Sequence, residues 1–183
     1  MRRSYVAIFQ DKKYNSHLYF DYELNEFFTI AERKNSGLVF LTSFVGIIFY
    51  SFLKNISLDI DLNPFSIVFI SMTLGMIIGF ISVKLTSRAI NKGLERRRKL
   101  MNPTDEQLKK YIFEGKKQFK TVVLMITFLL FFNLLSAILL IFMPKSVLLL
   151  ISNIAMWAIL ILVIWLIRPI KRIQVYKQLK SEL

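Results

Sequence analysis

The sequence predicts an all-α integral membrane protein: four transmembrane helices with both termini in the cytoplasm, a cytoplasmic helical hairpin extending the second and third spans, and a small N-terminal β-meander. Three observations lead there. The chain has 183 residues, 55% of them apolar, and the apolar residues gather in four long runs that an ordinary soluble domain of this size would not carry. The basic residues are segregated. Of the 25 Lys/Arg, 23 fall before the first run, between the second and third, or after the fourth, leaving only Lys54 and Lys145 in the other two connections. The third observation is the segment 84–120 itself, with twelve Lys/Arg against four acids, a formal charge of +8 within a chain of +13.

Residues 1–36, the cytoplasmic N-terminal segment, mix aromatic and branched residues with polar ones over Tyr5–Gln10, His17–Glu23 and Glu26–Glu32. Turn-forming stretches at Asp11–Ser16 and Leu24-Asn25 separate them, which favours a three-strand meander. A helix using Phe20, Leu24, Phe27, Phe28 and Ala31 is the competing reading, since these residues fall on one face at spacings near four. Three short strands bury little by themselves, so the meander is expected to lean on another element.

The first transmembrane hairpin, 37–83, holds the runs Leu38–Leu53 and Phe65–Val83. The second, 121–167, holds Thr121–Met143 and Val147–Ile167. A bilayer core takes roughly 17–25 apolar residues per helix, so the last three runs fit directly and the first needs Ser36-Gly37 or local thinning. Continuous runs without alternation argue for helices over a barrel, because a helix satisfies its backbone polar groups within the segment. The excess of Lys/Arg on one side puts both termini and 84–120 in the cytoplasm of a bacterial cell membrane. The outer connections are slight. They are Lys54–Asn63, which contains Asp59 and Asp61, and the tight turn Pro144-Lys145-Ser146.

Within 84–120, Asn102-Pro103-Thr104 is the only strong helix breaker. Thr104 and Gln107 have capping-box spacing, and Asp105 and Glu106 suit the first turn of a helix that follows. Two arms of matched length are thus predicted, Lys84–Met101 and Thr104–Lys120. Leu108, Tyr111, Ile112, Gly115 and Phe119 form an apolar stripe on the second. The cluster Arg96, Arg97, Arg98 and Lys99 reads first as a topology signal on a solvated face, and second as a candidate partner-binding site. Nucleic acid is not an expected partner, since no recognition module is present and few aromatic residues interleave the charge. Residues 168–183 predict a basic amphipathic C-terminal helix, with Ile170, Ile173, Tyr176 and Leu179 turned toward the inner membrane interface.

Chemistry is scarce. The four runs contain no Asp, Glu, Lys, Arg or His, and the chain has no cysteine and one histidine, His17. No catalytic group, cofactor or metal is predicted, and the chain reads as non-enzymatic. What the spans do carry is packing. Ser71, Gly75 and Gly79 repeat every four residues on the second span and invite close approach, for which Thr42, Ser43 and Gly46 of the first are the expected surface. Asn133 and Ser136 of the third span and Ser152 and Asn153 of the fourth are expected to pair across the second hairpin. Ser136 and Asn153 lie at matching depth.

In build, the chain resembles small multi-pass immunity proteins of Gram-positive bacteria, including the staphylococcal tandem five-helix membrane family. The resemblance lies in YNSHLYFDYELNEFFTIAERK leading into GLVFLTSFVGIIFY, followed by further spans with scant mass outside. It departs in having four runs rather than five. The resemblance implies protection of the producing cell against a membrane-acting toxin or bacteriocin, with Asp59 and Asp61 as the candidate contact for a cationic peptide. The alternative is an accessory or regulatory subunit of a membrane transporter or secretion complex, reached through the basic hairpin. Under both, the partners are the lipid bilayer and a protein.

Overall fold

The computed structural model describes residues 4–11, 16–31, 56, 62–95 and 98–181. In chain order these form strands β1 (Tyr5–Asp11), β2 (Ser16–Asp21) and β3 (Glu26–Ala31), helix α1 (Pro64–Glu95), strand β4 (Lys99–Met101), and helices α2 (Asp105–Phe142), α3 (Val147–Ile167) and α4 (Pro169–Ser181). Three helices are long and apolar enough to cross a membrane, and only 22%, 11% and 11% of their most apolar windows are buried within the protein. So much uncovered apolar surface is unsuited to water and compatible with lipid. The chain is a membrane protein by this criterion. The first predicted span, 38–53, and with it Thr42, Ser43 and Gly46, lies outside the described residues.

The chain divides into two compact units. One comprises the strands together with residues 83–126 and 163–181, and the other residues 62–82 and 127–162. In the first, the meander forms as its alternation predicts, and a fourth strand joins it to give an antiparallel sheet of order β1-β2-β3-β4. The turn between β2 and β3 is set by Asp21, whose Oδ1 accepts from the backbone N–H of Glu23 (3.2 Å) and Leu24 (3.4 Å), and by Asn25 at φ 54°, a conformation that asparagine tolerates. Ile8, Phe9, Leu18 and Phe20 of the sheet close a core with Ile112 of α2 and Val175, Tyr176 and Leu179 of α4. The meander therefore leans on the stripe that the sequence marks, with Leu108, Tyr111 and Phe119 packed alongside.

Two expectations are corrected. The segment before Asn102-Pro103 does not stay helical to Met101. Helix α1 is described as far as Glu95, and Lys99–Met101 is strand β4, pairing Phe27 with Met101 and Thr29 with Lys99. Pro103 disfavours helix just before it, and the open edge of β3 supplies the alternative partner. The second correction concerns the C-terminal helix. Its buried face is Arg172, Val175, Tyr176 and Leu179, while Ile170 and Ile173 are 73% and 44% exposed. Steps of three drift around a helix, whereas i, i+3, i+4 and i+7 keep one face, and that face seats on the sheet.

The caps behave as read. Thr104 N–H donates to Gln107 Oε1 (3.2 Å) and Gln107 N–H to Thr104 Oγ1 (3.4 Å), a reciprocal capping box that starts α2. Asn63 Oδ1 accepts from Phe65 N–H at 3.0 Å, with Pro64 in the first helical position of α1. Between α3 and α4, Arg168 takes φ 51° ahead of Pro169, and the helix axis breaks there.

Candidate functional site

In the first unit, the side chains that matter gather along β1, an edge strand. Its pairing with β2 slips at Ile8, where Ala7 opposes Tyr19 and Phe9 opposes Leu18. A bulge of this kind leaves one residue outside the ladder and re-aims its backbone. Ile8 is wholly buried, and its carbonyl accepts from Tyr176 Oη (2.6 Å) and Arg172 Nη2 (2.7 Å). Arg172 Nε donates to Tyr176 Oη at 3.0 Å, and Nη2 reaches the Gly115 carbonyl at 3.5 Å. Two residues along, Gln118 answers both backbone groups of Gln10: its Oε1 accepts from Gln10 N–H at 2.9 Å and its Nε2 donates to the Gln10 carbonyl at 2.8 Å. The side-chain amide thus takes the place of a neighbouring strand, which closes an edge otherwise open to pairing with another chain.

Gly115 is where α2 comes closest to this bulge. A Cβ there would collide with the Ile8 carbonyl and stand 2.7 Å from Tyr176 Oη. Only glycine allows that approach. Arg172 is 7% exposed, with its guanidinium 5.1 Å from the ring centre of Phe119 and 5.6 Å from that of Tyr176. Burial pushes the Tyr176 phenol above its usual range, opposed by the charge of Arg172 and its hydrogen bond. The sequence marks Gly115 and Tyr176 only as members of apolar stripes. Arg172 is a residue that sequence reasoning missed, because a lysine- and arginine-rich helix gives no sign of which cation will be buried.

Among the predicted partner-binding residues, Arg98 is engaged within the fold. Its Nη2 pairs with Glu26 at 2.7 Å, its Nη1 with Asp21 at 3.5 Å, and its guanidinium lies 4.5 Å from the centre of the Phe28 ring. It pins β4 to β3. Lys99 is exposed on β4. Arg96, Arg97, Asp59 and Asp61 lie outside the described residues. A different basic surface is formed by Lys109, Lys116 and Lys180 around Ile112 and Phe113, enclosing a groove of about 340 Å³ with Phe113 75% exposed.

In the second unit the packing residues come together. Asn153 Nδ2 donates to Ser136 Oγ at 3.3 Å, the pairing expected from depth, and the Ser71 hydroxyl lies 3.0 Å from Asn153 Oδ1. Ser71, Asn133 and Asn153 are wholly buried and Ser136 nearly so. Asn133 Nδ2 donates to its own helix at Leu129 O (2.9 Å) and across to Met156 O (3.4 Å). Gly75 and Gly79 of the small-residue stripe of α1 meet the fourth predicted span: a Cβ on Gly75 would lie 2.6 Å from Ile154 O and 2.7 Å from Trp157 Cβ, and one on Gly79 3.0 Å from Ile161 Cβ. Close backbone approach and interhelical hydrogen bonds thus hold α1, α2 and α3 together.

No protein-family model matches the chain, and no curated protein or solved structure matches it.

Proposed function

We propose that this chain is a non-enzymatic, polytopic protein of a bacterial cell membrane, with four spans and both termini cytoplasmic, that works by binding another protein. The observation that carries the reading is the basic groove: a large apolar side chain, Phe113, stands exposed among Lys109, Lys116 and Lys180 on a packed module. Exposed aromatics ringed by charge of one sign suit a partner offering an apolar side chain flanked by carboxylates. The apolar runs supply no ionisable group for transport or hydrolysis, and their polar residues serve helix packing.

The partner on this reading is a membrane-acting toxin or bacteriocin, or its membrane target, and the chain confers immunity on its producer. The resemblance of the sequence to small immunity proteins supports that choice. The second reading, an accessory or regulatory subunit of a transporter or secretion complex, is favoured by the groove lying in the basic module rather than in the outer connections.

Crosslinking in native membranes from a photoreactive residue at Phe113, with and without toxin challenge, tests both. A specific adduct that disappears in Lys109→Glu/Lys116→Glu is expected. Its absence in resting and challenged cells removes the groove as the binding surface. Loss of survival under challenge in the same variant separates immunity from the accessory role, and Asp59→Ala/Asp61→Ala asks whether the outer loop contributes to protection.

A further inference from the structure

Arg172 is buried, yet it makes no ion pair among the described residues. Desolvating a guanidinium is costly unless its charge is matched and its donors are satisfied. Two sides of the group are satisfied, Nε by the Tyr176 phenol and Nη2 by the Ile8 and Gly115 carbonyls. Nη1 has no hydrogen-bond partner among the described residues. The dipoles of two carbonyls and the faces of two rings offset part of the cost, but they bring no negative charge.

Arg172 also lines a cavity of about 280 Å³ within the first unit. The other polar side chains on its wall are Gln10, His17, Tyr19 and Gln118, and no carboxylate is among its described lining residues. The rest of the wall is apolar, with Ala7 on β1 and Ile90, Val122, Leu166 and Ile167 from the helices. Val122 opens the apolar stretch of α2, and Leu166 and Ile167 end that of α3. The cavity therefore has one cationic, donor-rich side and one greasy side built from the helix segments that enter the membrane-crossing runs.

We infer that this cavity binds a phosphate oxyanion, with Arg172 Nη1 as its charged donor and Gln10, Gln118 and His17 as the polar groups around it, and that the apolar wall takes the glyceride portion of an acidic phospholipid. A guanidinium matches phosphate geometrically as well as electrostatically. The site is separate from the Phe113 groove, with which it shares no lining residue.

The test uses the full chain purified in neutral detergent and stripped of lipid. Its thermal unfolding is followed while phosphatidylglycerol, phosphatidylcholine or glycerol 3-phosphate is added. Saturable stabilisation by phosphatidylglycerol, absent with phosphatidylcholine, is the expected result. An equal response to glycerol 3-phosphate would bear out the oxyanion site and assign its source to a soluble phosphate. Two variants fill the cavity from opposite walls, Ala7→Phe from the sheet and Val122→Phe from α2, so that one remains informative should the other fail to fold. Each is expected to weaken apparent affinity by at least about tenfold, and Arg172→Lys to weaken it comparably, whereas Lys177→Gln, which is not among the lining residues, leaves it unchanged. The proposal is overturned if the cavity-filling variants respond like the unaltered chain, which would mean that anionic lipid acts through diffuse surface charge, or if neither phosphatidylglycerol nor glycerol 3-phosphate stabilises the protein.

Discussion

Replacing Gly115 by alanine separates two opposite expectations. Propensity alone favours the change, because alanine in a helix interior is about 1 kcal/mol better than glycine. The structure says the reverse. The new methyl would collide with the Ile8 carbonyl, a backbone atom with little freedom, and stand 2.7 Å from Tyr176 Oη. Helix and strand must separate by several tenths of an ångström, which strains the 2.6 and 2.7 Å hydrogen bonds to that carbonyl. Crowding of this kind costs about 1–3 kcal/mol, and loss of the charged bond from Arg172 adds about 1.5–3. After the helix gain the variant is less stable by about 1.5–5 kcal/mol, so amide hydrogen exchange in β1 should speed up by at least about tenfold. Exchange in the apolar stretch of α2 serves as the internal control. Slower exchange in β1, as propensity alone predicts, would refute the close approach and with it the account of the bulge.

Tyr176 sets an alkaline limit on the same module. Its phenol is held above the usual value of about 10, so the neutral form is favoured by folding; that stability is fully present below about pH 10 and drains away as pH rises toward the folded value, by up to about 1.4 kcal/mol per pH unit. Tyr176→Phe should lack this part of the alkaline slope in a pH series of unfolding curves. Because the chain has no cysteine, Ser71→Cys/Asn153→Cys gives a clean crosslink between α1 and α3, which Gly75→Leu should abolish through collision with Ile154 and Trp157. Asn153→Ala should be milder, about 0.6–1.7 kcal/mol in denaturation from detergent, since hydrogen bonds between membrane helices are individually modest. Arg98→Ala should cost about 1 kcal/mol and free β4 to exchange faster, the gain being limited because Glu26 is 46% exposed to solvent.

Features that rest on local or one-dimensional physics are legible in the residues alone. Apolar runs of bilayer length must be helical whatever their neighbours, and Phe65–Val83, Thr121–Phe142 and Val147–Ile167 all are. The capping box at Thr104 and Gln107 satisfies its groups within one turn, and the alternation of β1 to β3 states which residues share a face. Even the pairing of Ser136 with Asn153 was legible, because a short turn fixes the depth of both.

Long-range packing governs the places where distant segments compete for the same groups. Lys99–Met101 is built of residues that suit a helix, yet the open edge of β3 draws it into the sheet, where Phe27 meets Met101. The stripe of Ser71, Gly75 and Gly79 announces close packing but not against which helix, since any backbone can approach a glycine. Above all, the sequence shows five basic residues from Arg168 to Lys180 without distinguishing them. Only the bulge at Ile8, the missing side chain at Gly115 and the phenol of Tyr176 single out Arg172, by creating the one arrangement of carbonyls and rings in which that guanidinium is buried.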